Sequence, residues 1–114
     1  MNYISTRNNQ KNFTFKEVFL KGLADDGGLF VPKSIKQYKK EELDNLKDLS
    51  YNDLAAEIIY PFIGDFMSKD DLISMISKSY SNFRSNDVIK ISNLGSLKVL
   101  ELFHGPTLAF KDIA

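Results

Sequence analysis

The sequence predicts an α+β unit, mainly helical, with short strands and one β-hairpin. Three observations carry that expectation. The pattern Ser/Thr-x-x-Glu/Asp occurs at Thr14–Glu17, Ser50–Asp53 and Ser68–Asp71, each time opening an apolar run with helical spacing. Two strand-like runs, Val88–Ile91 and Leu97–Phe103, flank Asn93-Leu94-Gly95-Ser96, which has the composition of a hairpin turn. Near the N-terminus, Tyr3-Ile4-Ser5 and Leu29-Phe30-Val31 are brief β-prone segments, the second ended by Pro32.

Each helix has its own signals. Thr14 caps the first, with Phe13 and Val18 spaced as a hydrophobic staple and Val18, Phe19 and Leu23 on the inward face. Asp25-Asp26-Gly27-Gly28 is the expected stop, because a glycine adopts the positive φ of a C-cap. A short helix over residues 39–49 turns Leu43 and Leu46 inward. The helix from Tyr51 buries Leu54, Ala55, Ile58, Ile59 and Phe62, with Pro61 kinking or ending it and Gly64 behind as a stop. The helix from Lys69 runs to about Phe83, with Leu72, Ile73, Ile76, Tyr80 and Phe83 inward. Arg84–Asp87 is a polar link, and it divides the chain into a helical unit, 1–85, and a hairpin, turn and helix, 86–114.

Composition excludes several classes of function. The 114 residues are 43% hydrophobic and 26% charged, with zero net charge, as in an ordinary globular domain. There is no basic stripe for nucleic acid and no polybasic block for a membrane surface. Cysteine is absent, so neither disulfides nor thiolate metal sites are available, and the polar first dozen residues hold no apolar stretch. A cytoplasmic protein is the default expectation.

Chemistry concentrates in Leu97–Ala114. The strand run breaks at His104-Gly105-Pro106, and Thr107 is expected to cap a helix through Leu108–Ala114. Lys111 would then stand near the positive end of that helix among Leu108, Ala109, Phe110 and Ile113, an environment that favours the neutral amine needed to attack a carbonyl. From the residue alone, a lysine that snorkels out of a helix start as a bystander is the favoured reading. His104 is the only histidine, either a pocket-lining group or a structural hydrogen-bonder. Thr107 is first a cap and second a neighbour of a ligand. Asp112 is either a partner of Lys111 or a favourable charge in an early helical turn. Arg7 is a surface arginine or an anion contact.

The stretch ELFHGPTLAFKD, residues 101–112, resembles the segment around the cofactor lysine of the threonine synthase family, pyridoxal-phosphate enzymes of the tryptophan-synthase-β-like group. Tyr3–Arg7 and Gly22–Pro32 resemble two further segments of that family, in family order. The resemblance implies an α/β parent enzyme of pyridoxal-phosphate fold type II that converts O-phospho-L-homoserine and water to L-threonine and phosphate. It implies that Lys111 carries the cofactor and later moves protons, with His104 and Thr107 beside it. The six glycines form no phosphate-cradling loop, and the chain stops barely two turns into the expected last helix. An N-terminal fragment, inactive alone and completed by the remainder of a catalytic domain, is therefore expected. The alternatives are a phospho-lyase acting on another phosphorylated amino acid, or a non-catalytic docking module.

Overall fold

The computed structural model describes residues 1–113. Strand β1 (Tyr3–Ser5) and strand β2 (Phe30–Pro32) form an antiparallel pair in the register Tyr3–Pro32, Ile4–Val31, Ser5–Phe30. Helix α1 (Phe15–Lys21) lies between them in sequence, and α2 (Lys40–Leu46) follows. Helix α3 (Tyr51–Ile63), a 3-10 turn (Gly64–Phe66) and helix α4 (Lys69–Tyr80) make the helical centre. Strands β3 (Lys90–Leu94) and β4 (Leu97–Glu101) form a hairpin, and a second 3-10 turn (Phe110–Asp112) closes the described chain. The α+β expectation holds.

The three capping signals place helix starts to the residue. Thr14 Oγ1 accepts from the Glu17 N–H, and the Thr14 N–H donates to Glu17 Oε2 at 2.7 Å. At Ser50 and Ser68 the hydroxyl accepts from the amide three residues on. It also donates at 2.6 Å to the carboxylate of Asp53 or Asp71. Glu17 accepts from both the Thr14 hydroxyl and the Thr14 N–H, whereas aspartate, one methylene shorter, bonds the cap hydroxyl alone.

Helix ends differ from expectation. Helix α1 stops at Gly22, whose φ of 76° ends it before the Asp25–Gly28 turn. Leu23 therefore lies beyond the helix and is 60% exposed. Helix α3 runs two residues past Pro61. The missing N–H falls in the last turn, where terminal carbonyls already need other partners. Gly64 N–H takes Tyr60 O, and the buried Tyr3 hydroxyl takes Phe62 O at 2.8 Å, strapping β1 to the end of α3. Helix α4 stops at Tyr80, three residues short, although Phe83 still packs edge-on to Tyr80 with centroids 5.1 Å apart. The hairpin turn shrinks to Gly95-Ser96, with Gly95 at φ 61°, and Asn93 and Leu94 join β3.

The core lies between α3 and α4. Ala56, Ile63, Leu72 and Ile76 form it, with Phe15, Ile59, Ile73 and Tyr80 packed around. Several predicted inward positions face outward instead: Phe19 is 68% exposed, Leu43 49% and Ile58 39%. A periodic apolar face needs a partner to bury it, and these 113 residues do not supply one for every face. The radius of gyration, 16.9 Å, exceeds the ~13 Å of a compact domain of this length. Ala114, the end of the expected last helix, lies outside the described residues.

Candidate active-site loop

Strand β4 delivers Leu102-Phe103-His104 into a loop of eight residues, Gly105–Asp112. The Arg84 N–H donates to His104 O at 2.8 Å, tying the loop's entrance to the segment after α4. Thr107 does not cap a helix. Gly105–Leu108 is a turn, closed by Leu108 N–H to Gly105 O at 3.2 Å. Leu108 sits at φ 64°, in the left-handed region that side chains disfavour. Ala109 is extended, and Phe110–Asp112 makes a single 3-10 turn.

The reason is Asp112. Its Oδ2 accepts from the Thr107 N–H at 2.9 Å, and its Oδ1 accepts from the Thr107 hydroxyl at 2.6 Å. Asp112, five residues on, thus takes both Thr107 donors, while the Thr107 hydroxyl oxygen accepts only from the Ala109 N–H, at 3.4 Å. Gly105 is buried beneath this clasp, and a Cβ there would lie 2.7 Å from Asp112 Cγ. Lys111, adjoining the clasp, is exposed. Neither the helix start nor the apolar enclosure expected around Lys111 is built here. Beyond the loop, the Tyr80 hydroxyl donates to Ile113 O at 3.1 Å and pins the exit to α4.

His104 belongs to a second cluster. Its Nε2 lies 2.7 Å from Glu101 Oε2, and the two side chains are only 17% and 16% exposed. The Ser92 hydroxyl donates to the other Glu101 oxygen across the hairpin. Ser92, and after it His104, hold the Glu101 carboxyl below the usual carboxylate range. The Phe103 and His104 rings lie 4.7 Å apart. The hydrogen bonds of the described residues keep these two clusters separate: Thr107 with Asp112, His104 with Glu101 and Ser92. Glu101 and Asp112 are the residues that sequence reasoning undervalued. The three-residue spacing of Glu101 and His104 was the available signal for the first.

The N-terminal motifs meet in space as a lock. The Ser5 hydroxyl donates to Asp26 Oδ1 at 2.8 Å, and the Gly28 N–H donates to the same oxygen at 2.9 Å. Ser5, then Gly28, hold the Asp26 carboxyl low. Arg7 reaches the Asp26 carbonyl at 3.1 Å. Thr6 and Leu29 exchange two further bonds. Asp25–Gly28 is thus a turn, as its composition indicated, clamped onto β1. Near the loop's exit, an apolar groove of about 760 Å³ runs along Phe15, Phe19, Phe66, Met75 and Tyr80 to Ile113. Among the described residues, no helix is long and apolar enough to cross a membrane.

A clamped N-terminal turn, a helical pair and a strand ending in a lysine-bearing loop define a class. Residues 2–80 match the family described as the threonine synthase N terminus, and the chain belongs to that family. The whole chain is 44% identical to the threonine synthase of Schizosaccharomyces pombe, covering 23% of it. It superposes on the pyridoxal-phosphate-bound threonine synthase of Brucella melitensis with a TM-score of 0.93 at 38% identity, over 99% of this chain and 25% of that one. The yeast threonine synthase structure matches at 0.91 and 42% identity, over 98% and 24%. The chain thus spans about a quarter of the length of these relatives.

Proposed function

We propose that the chain is the N-terminal part of a threonine synthase, a pyridoxal-phosphate-dependent carbon–oxygen lyase of the cytoplasm. It converts O-phospho-L-homoserine and water to L-threonine and phosphate. The observation that carries this reading is the exposed Lys111 on a clasped loop at the end of β4, in a chain that superposes on a pyridoxal-phosphate-bound threonine synthase. Residues 1–85 are the N-terminal unit, and 86–114 begin the catalytic domain. The match over residues 2–80 supports that division.

The residues present fit the aldehyde end of the cofactor: an accessible amine on a loop fixed at both ends. The cofactor's phosphate seat belongs to the remainder of the protein. When bound, pyridoxal phosphate withdraws electrons from the substrate's carbon skeleton. Lys111 Nζ is its attachment point and, when free, takes and returns protons at substrate carbons. His104 and Thr107 flank it. Glu101 holds the His104 ring through Nε2, at 2.7 Å.

The test uses the full-length protein carrying these residues. With O-phospho-L-homoserine it forms phosphate and L-threonine in equal amounts, and Lys111→Ala abolishes both. Turnover that survives in Lys111→Ala removes the role assigned to Lys111.

A further inference from the structure

We propose that Asp112 is a positioning residue for Lys111, acting through its clasp on Thr107. This inference rests on the reading of Lys111 as the cofactor-bearing residue.

A lysine side chain is a flexible four-carbon stem, so the direction of its amine depends on how rigidly its backbone is held. Three features hold it here. Both Asp112 oxygens are engaged by Thr107, one through the amide and one through the hydroxyl, which closes the segment between them into a ring. Gly105 lies against the Asp112 side chain with no room for a Cβ, so the clasp stands on the floor of the loop. Leu108 keeps a left-handed φ of 64°, a conformation that persists only where its surroundings impose it. Lys111 lies inside this ring, directly before Asp112, and the Ile113 carbonyl that Tyr80 pins follows, so the backbone on each side of it is fixed.

Because its two oxygens are committed to Thr107, Asp112 orients Lys111 by backbone geometry and leaves the amine unengaged. That separates it from the two roles its sequence position suggests, a direct partner for the amine and a charge at a helix start. Alanine at 112 removes both acceptors, whereas asparagine keeps the bond from the Thr107 N–H and donates to the Thr107 hydroxyl oxygen, so alanine is the substitution that opens the clasp. Threonine's hydroxyl is needed in the same sense: serine keeps it and valine loses it.

The experiment compares the full-length protein with Asp112→Ala, Thr107→Val and Thr107→Ser. It reads kcat and KM, hydrogen exchange of the 105–113 peptide, and the rate at which borohydride traps pyridoxal phosphate on Lys111. The expected result for Asp112→Ala and Thr107→Val is a kcat lowered ten- to a hundredfold with KM within about threefold. Trapping slows in parallel, exchange rises in 105–113, and Thr107→Ser restores all three. Asp112→Ala with kcat and trapping within twofold of the parent, Lys111 still being the trapped residue, overturns the inference alone. A fall in kcat with unchanged trapping and exchange assigns Asp112 another role and also overturns it. Trapping on a different lysine in the parent overturns this inference together with the functional reading.

Discussion

Gly28→Ala tests whether the N-terminal lock holds the scaffold. A Cβ at this position would collide with Ser5 Oγ and approach Asp26 Oδ1 at 2.9 Å and Thr6 Oγ1 at 3.1 Å. Ser5 is 4% exposed and carries the bond to Asp26, so it has no open space to enter. Overpacking of this kind costs about 1–3 kcal/mol. Displacing the buried Ser5 hydroxyl from its partner adds about 1 kcal/mol. The expected loss is thus about 2–4 kcal/mol, read as a drop of roughly 1–2 M in the urea midpoint of the 114-residue chain at unchanged slope. Gly22→Ala is the control: nothing lies within 4 Å of its Cβ, so only the positive φ of 76° is penalised, by about 1–2 kcal/mol. Adding Ser5→Ala to Gly28→Ala removes the colliding atom, so the double variant should lose at least ~1 kcal/mol less than the sum of the singles. A Gly28→Ala cost no greater than that of Gly22→Ala, with additive singles, would mean that Ser5 does not crowd position 28.

Other consequences follow from the same structure. Tyr3→Phe removes the strap to Phe62 O and should cost about 1–2 kcal/mol, visible as a lower midpoint in thermal unfolding. Burial, and after it Tyr80, push the Tyr51 hydroxyl up to about 12. Stability held below about pH 10 is therefore lost as pH rises through about 12, and Tyr51→Phe should blunt that alkaline loss in a pH series of urea midpoints. Asp26 moves the other way: its lowered carboxyl contributes stability above about pH 4 that fades as pH falls through its folded value. Asp26→Asn should flatten the acid limb of the same series.

What was legible in the sequence was local. The caps at Thr14, Ser50 and Ser68 depend on residues three apart, and all three helices begin where those pairs place them. Tyr3–Ser5 and the hairpin were legible from β-prone composition and a glycine turn. The sequence pattern turns Phe19 and Ile58 inward, yet both are exposed, because periodicity shows that a face is apolar but not what covers it. The lock of Ser5 on Asp26 spans 21 positions, beyond any local rule. In the loop, helix-forming composition after Thr107 indicates a capped helix, but the Asp112 carboxylate folds back onto the Thr107 N–H and hydroxyl and closes a turn instead. The Lys111 position was legible from its motif, while the device that holds it was not.

Whether Lys111 bears the cofactor is read in a single measurement. The full-length protein is purified, its visible absorbance recorded, and the sample reduced with borohydride before peptide mapping. A yellow protein with a single pyridoxyl group on Lys111 is the predicted result. A colourless protein, or a label on any other lysine, would contradict it.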